Sequence, residues 1–122
     1  MQSDLAPSAP PPPRVPSPAA VVVAFLAIHL VAAAFVGLGF DETYYWTWSR
    51  FLSASYFDHP PMVAWWIRAG TSLLGDNPVG IRILFVLAMV PTSAALYWTG
   101  ALLFDRLTAT FAVAFVNATL VF

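Results

Sequence analysis

Two short acidic patches hold the residues best equipped for chemistry: Asp41-Glu42, and Asp58-His59 within the run Tyr56-Phe57-Asp58-His59-Pro60-Pro61. A carboxylate can take the proton of a hydroxyl as a general base, or it can ligate a hard cation. Asp58 and His59 would add a second carboxylate and a ring that titrates near neutral pH. Pro60-Pro61 would fix their backbone. Each position also has a purely architectural reading. Asp41 suits a helix N-cap, and Glu42 suits the positive end of that helix. Pro60-Pro61 suits a first helical turn, with Asp58 and His59 solvated at its mouth. Arg50 and Arg68 could contact an anionic lipid phosphate, although cations near a membrane boundary also snorkel without a ligand. A divalent metal held by Asp41, Glu42, Asp58 and His59 is a further option, but no tight ligand spacing argues for it.

The elements around these patches are set by composition. The chain has 122 residues, 60% hydrophobic and 9% charged, against about 25% charged in an average soluble domain. A soluble protein this short must keep much of its surface polar, which six acidic and five basic side chains cannot do. The chain therefore reads as an integral membrane protein. The five cations are all arginine and the net charge is −1, so nothing recruits nucleic acid by charge. With no cysteine, disulfide frameworks and thiolate metal sites are excluded.

Residues 1–18 hold seven of the eleven prolines and read as a disordered or polyproline-type tail. Residues 19–40 are uncharged and reach about 33 Å as a helix, enough for a bilayer core of about 30 Å, so they read as a first transmembrane helix. His29 lies inside it and suits a neutral packing residue. Residues 41–82 form a loop with seven of the eleven charges and many aromatic rings of the kind that favour the membrane–water boundary. The loop reads as two interfacial helices. One runs from about Glu42 to Leu52, with Tyr45, Trp48 and Leu52 on one face. The other starts at His59-Pro60-Pro61 and runs to about Leu74, closed by Gly75. Residues 83–104 read as the second transmembrane helix, with Pro91 as a kink. Residues 105–122 read as a short turn and a third span too short to cross as it stands, so the chain is expected to be the N-terminal fragment of a longer multi-span protein. Asn117-Ala118-Thr119 matches a glycosylation sequon but falls inside that span. Arginine counts on the two sides do not decide orientation.

Three segments in order carry a resemblance: Asp41-Glu42-Thr43-Tyr44-Tyr45-Trp46 after the first span, then Tyr56-Phe57-Asp58-His59-Pro60-Pro61, then Gly75-Asp76-Asn77-Pro78-Val79-Gly80-Ile81-Arg82 before the second. Over residues 19–104 the chain resembles glycosyltransferase family 39, the group of the dolichyl-phosphate-mannose protein mannosyltransferases and the bacterial lipid A aminoarabinose transferases. The resemblance implies an all-α polytopic bundle of the GT-C type, in the bacterial inner membrane, with the first loop periplasmic and two juxtamembrane helices in it. It implies inverting transfer of a sugar from a polyprenyl-phosphate donor to a lipid, glycan or protein acceptor, among membrane lipids. Asp41 matches the family's acidic residue at the loop start, a catalytic base or acceptor-positioning group, with Glu42 beside it. Asp58 and His59 match a region near the donor phosphate, and Tyr45, Arg50 and Arg68 complete the candidate substrate-binding set. The aminoarabinose transferases carry lysine at the place of His59, so a permanent charge becomes one that titrates. A non-enzymatic membrane scaffold and a lipid-linked-sugar transport protein are the rival readings. The reading of the open frame beyond Phe122 and the fate of Asp41→Asn discriminate them.

Overall fold

The computed structural model describes residues 16–57 and 59–119. Five helices and no strand occur among them: α1 (Pro18–Phe35), α2 (Phe40–Ser49), α3 (Met62–Leu74), α4 (Pro78–Leu103) and α5 (Arg106–Thr119). The protein is all-α, and α1 and α4 are long and apolar enough to cross a membrane. Residues 1–15 of the proline-rich tail and Asp58 lie outside the described residues, and Pro18, read as the end of that tail, is instead the first residue of α1.

Helix α1 starts where Ser17 Oγ accepts the Ala20 N–H at 3.1 Å, with Pro18 in the first turn. It stops at Phe35, five residues before the uncharged stretch ends. Gly37 and Gly39 follow, and glycine favours the coil in which its backbone is least restricted. At 1.5 Å per residue α1 is about 27 Å long.

Helix α2 opens at Gly39, not at Asp41. Glycine has no side chain to cap with, so Glu42 reaches back instead: its Oε2 accepts the Gly39 N–H at 2.8 Å. That is half of a capping box. Asp41 sits in the first turn, where its charge suits the helix dipole, and its carboxylate makes no cap bond. The helix ends at Ser49, so Leu52 lies past it. The loop beyond is folded by two aromatic side chains. The Tyr56 hydroxyl lies 3.0 and 2.9 Å from the carbonyls of Trp48 and Phe51, and Trp65 Nε1 donates to the Ser53 carbonyl at 3.1 Å.

Helix α3 follows Pro61 and ends at Gly75, whose φ of 86° lies where side chains are strained. Asn77 then caps α4: its Oδ1 accepts the Gly80 N–H at 2.9 Å, and its Nδ2 donates to the Leu74 carbonyl at 2.6 Å. Helix α4 is the axis of the bundle, in contact with α1, α3 and α5, while α2 leans on α3. The α3–α4 contact is very close. A Cβ at Gly70 would strike the Gly80 carbonyl oxygen, and one at Gly80 would strike the Gly75 carbonyl oxygen. Pro91 lies inside α4 without ending it.

On the far side of α4, Asn117 is 1% exposed and its Nδ2 donates to Ser93 Oγ at 2.9 Å and to the Val113 carbonyl at 2.7 Å. The sequon asparagine is thus an interhelical bond within apolar packing and is sealed from any glycan. His29 is buried and its Nδ1 is 2.7 Å from the Phe25 carbonyl. That is the packing role its surroundings suggested.

Candidate functional site

Helices α2, α3 and α4 each present one stripe at helical spacing, and the three stripes enclose a cavity of about 300 Å³. Asp41, Glu42 and Tyr45 come from α2. Val63 and Ile67 come from α3. Ile81, Arg82 and Phe85 come from α4. The cavity therefore has apolar walls and a polar edge made almost entirely by the first turn of α2.

At that edge Arg82 is 2% exposed and engages two partners of different kinds. Its Nε and Nη2 donate to the two carboxylate oxygens of Glu42 at 2.5 and 2.6 Å, the bidentate fork that arginine makes best. Its remaining hydrogens go to the open end of α1. Nη1 donates to the carbonyls of Val36 at 2.8 Å and Ala33 at 3.4 Å, and Nη2 donates to Gly37 at 2.9 Å. Arginine has five N–H donors, and five acceptors surround this one. The last carbonyls of a helix lack intrahelical partners, and Arg82 supplies them here. One side chain thus closes α1, anchors the start of α2 and sits on α4. The Arg82 guanidinium holds the Glu42 carboxyl below its ordinary range; burial opposes that shift, and the Gly39 N–H adds to it.

Asp41 stands in contrast beside it. It is exposed, lines the cavity, and makes no hydrogen bond or ion pair among the described residues. Of the two adjacent carboxylates, one is neutralised and fixed while the other faces the cavity unpaired.

The other expected site residues separate. His59 packs its ring against Tyr45 and Trp48, with centroids 5.4 and 5.8 Å apart, and Trp48 in turn stacks on Tyr56 at 4.6 Å. His59 is therefore one ring removed from the cavity, behind Tyr45. Arg50 is drawn away to Asp76 at 2.7 Å and lies 5.7 Å from the Trp46 ring centre. Arg68 is exposed on α3 and lines no wall of the cavity. Asp58 lies outside the described residues. No three His, Asp or Glu side chains gather as a metal cage among the described residues. With Glu42 taken by Arg82, Asp41 is the carboxylate left for a cation at this edge.

Arg82 is the residue that sequence reasoning missed. It lies 40 positions from Glu42 and reads there as a charge flanking a span. The signal that could have found it is its place at the start of a long apolar helix, where an unpaired cation is costly.

A family model described as dolichyl-phosphate-mannose-protein mannosyltransferase matches residues 58–122, just over half of the chain. The chain belongs to that mannosyltransferase family. Its match begins within the Asp58-His59-Pro60-Pro61 segment and runs through α3, α4 and α5. The chain is also 42% identical, over 67 residues, to the lipid A galacturonosyltransferase RgtD of Rhizobium johnstonii. That match covers 52% of this chain and 14% of the relative, so the chain spans a small part of the relative's length. No solved structure matches. Family membership and the two long apolar helices together make this a membrane protein of the GT-C type.

Proposed function

We propose that this chain supplies the sugar-transfer pocket of a membrane glycosyltransferase. The donor is a polyprenyl-phosphate-linked sugar, and the acceptor is a hydroxyl of a lipid, glycan or protein at the extracytoplasmic face. The observation that carries this reading is the unpaired Asp41 carboxylate at the mouth of a cavity of about 300 Å³, held in place by the Glu42–Arg82 pair beside it.

In this reading Asp41 accepts the proton of the acceptor hydroxyl. The acceptor oxygen bonds to the anomeric carbon, the bond from that carbon to the phosphate oxygen breaks, and polyprenyl phosphate leaves with the electron pair. Attack opposite the leaving group inverts the anomeric centre. Glu42 cannot share this work readily, because protonating it would dismantle its fork with Arg82. Its part is to hold the first turn of α2, and hence Asp41, at the cavity edge. An apolar groove between α3 and α4, lined by Pro61, Met62, Trp65, Trp66, Ala69 and Leu84, gives the polyprenyl chain a seat. Arg68 and His59 lie close in sequence to residues of that groove and are the ones we assign to the donor phosphate. The family and the relative's activity support sugar transfer. The donor, the acceptor and the side of the membrane rest on the resemblance.

The test is transfer from polyprenyl-phosphate sugars to a membrane extract, followed by mass analysis of the acceptor. Asp41→Asn should lower transfer by at least about 100-fold, the usual scale for loss of a general base, with expression and melting temperature unchanged. Near-normal transfer by that variant would remove Asp41 from the role.

A further inference from the structure

We propose that the loop between α2 and α3, residues 51–57, is a wedge that enters the acyl-chain layer of the bilayer beside α4. Its partner is the lipid itself. The inference needs only membrane residence and goes beyond the sugar-transfer reading above.

Depth is the first observation. Arg82 binds the carbonyls at the end of α1, so it marks the level at which that span stops. Helix α3 lies antiparallel against the first turns of α4. Its far end meets the start of α4, where Gly70 packs on the Gly80 carbonyl. Its beginning meets α4 further in. The Trp66 and Phe85 rings lie 6.0 Å apart, and Pro61 and Met62 line a groove with Leu84. The step along α4 from Gly80 to Phe85 is about 7.5 Å. The start of α3, and the loop that leads into it, therefore sit on the membrane side of Arg82.

The loop's composition and bonding fit that place. Residues 51–57 carry no charge, and Phe51 and Phe57 are 77% and 102% exposed. An exposed apolar patch marks a surface that meets a partner or a membrane. The backbone beneath these rings is bonded within the protein. The Tyr56 hydroxyl accepts the Ser53 N–H at 3.2 Å and lies 2.9 Å from the Phe51 carbonyl. Trp65 Nε1 donates to the Ser53 carbonyl at 3.1 Å, and the Ser55 hydroxyl donates to the Tyr56 carbonyl at 3.4 Å. Internal satisfaction of backbone groups is what entry into lipid demands. Tyrosine and tryptophan supply it here, the two ring types that favour the boundary. The apolar tip also continues through the exposed Met62 and Trp65 into the groove that reaches Leu84 on the spanning helix α4. Lipid that covers α4 thus meets the tip as well. Arg50 and Asp58 flank the segment in sequence and hold the entry to a shallow one, about 5–10 Å past the headgroup boundary.

The experiment places an environment-sensitive fluorophore on Leu52→Cys, Phe57→Cys or Ser72→Cys in the full-length protein, reconstituted in bilayers. Ser72 is exposed one turn past Arg68, about 15 Å along α3 from Met62. Quenching by lipids brominated on their acyl chains is compared with quenching by iodide in the water. At positions 52 and 57 the brominated lipid should quench at least about twofold more than at 72, and iodide at least about twofold less, as fits a shallow insertion. The double variant Phe51→Asp, Phe57→Asp alters only exposed rings and should move the label at position 52 from lipid into water. Iodide quenching at 52 and 57 without lipid quenching would put the loop in water and overturn the proposal. Quenching by neither agent would mean that protein covers the tip, which overturns it too. A label at 52 that keeps its lipid contact in the double variant would show that the two rings do not drive insertion, and the wedge would be wrong.

Discussion

Two arginine–carboxylate pairs join α2 to the α3–α4 region, and they differ in almost every respect that matters physically. Arg82–Glu42 is sealed, bidentate and surrounded by helix-end carbonyls. Arg50–Asp76 is open to solvent, with side chains 40% and 44% exposed, and is backed only by the Trp46 ring and its Nε1 bond to Asp76 at 3.2 Å. Removing one partner of a buried pair strands a charge and a set of polar groups. An exposed pair returns both partners to water. The first is a structural joint; the second is a tether on the loop. In sequence both arginines look alike, as cations near a membrane edge.

The contrast can be broken most directly at Arg82. Arg82→Leu should destabilise the protein by about 3–5 kcal/mol, the range for breaking a buried pair, because Glu42 and the carbonyls of Ala33, Val36 and Gly37 lose their donors. Thermal unfolding in detergent would measure it, and a loss under 1 kcal/mol would contradict the assignment. Glu42→Gln should cost less, about 2 kcal/mol, since the amide keeps one acceptor for Arg82 but not the charge. Transfer by that variant should fall through misplacement of Asp41, with a smaller loss than in Asp41→Asn.

Acid should probe the same joint. The folded protein holds Glu42 below its ordinary range through Arg82. A depressed carboxyl contributes stability above its unfolded value of about 4.3, and that stability is lost as pH falls through the folded value. Unfolding followed below pH 5 should show a decline that is shallower in Glu42→Gln. The smallest effect belongs to Arg50→Ala, which should cost about 1 kcal/mol or less. It should lose even that difference from wild type at 1 M salt, where screening is strong. A salt-insensitive loss of several kcal/mol would mean that the two pairs are not different in kind.

Much of the fold was legible because it rests on local patterns. The apolar runs that became α1 and α4, the glycine that closes α3 and the proline start before it are all short-range signals. The ends were harder. Phe40 and Asp41 shifted roles because Gly39 opens α2 and Glu42 reaches back to it, a bond that depends on the chain turning at Gly37 and Gly39. At the site, Asp41, Glu42 and Tyr45 are close in sequence and share one face, so they were found together. Arg82 was not, because its partners lie 40 to 49 positions away. The Arg50 ion pair was not foreseen because Asp76 is 26 residues distant and nothing local announces that it will take the guanidinium. Long-range pairing of charges is decided by how helices dock, which a single sequence does not display.

The glycine contact between α3 and α4 bears on how the pocket can respond to its guest. With the backbone of Gly70 seated against the carbonyl of Gly80, and Gly80 against that of Gly75 just past α3, the two helices meet main chain to main chain at this point, with the Ile83 side chain beside them. The wall carrying Val63 and Ile67 and the wall carrying Ile81 and Phe85 are therefore one solid. Selectivity in such a vessel comes from what fits its standing shape, and the adjustable part is α2, joined to α4 by the Arg82 guanidinium and tethered to the loop before α4 by Arg50 and Asp76.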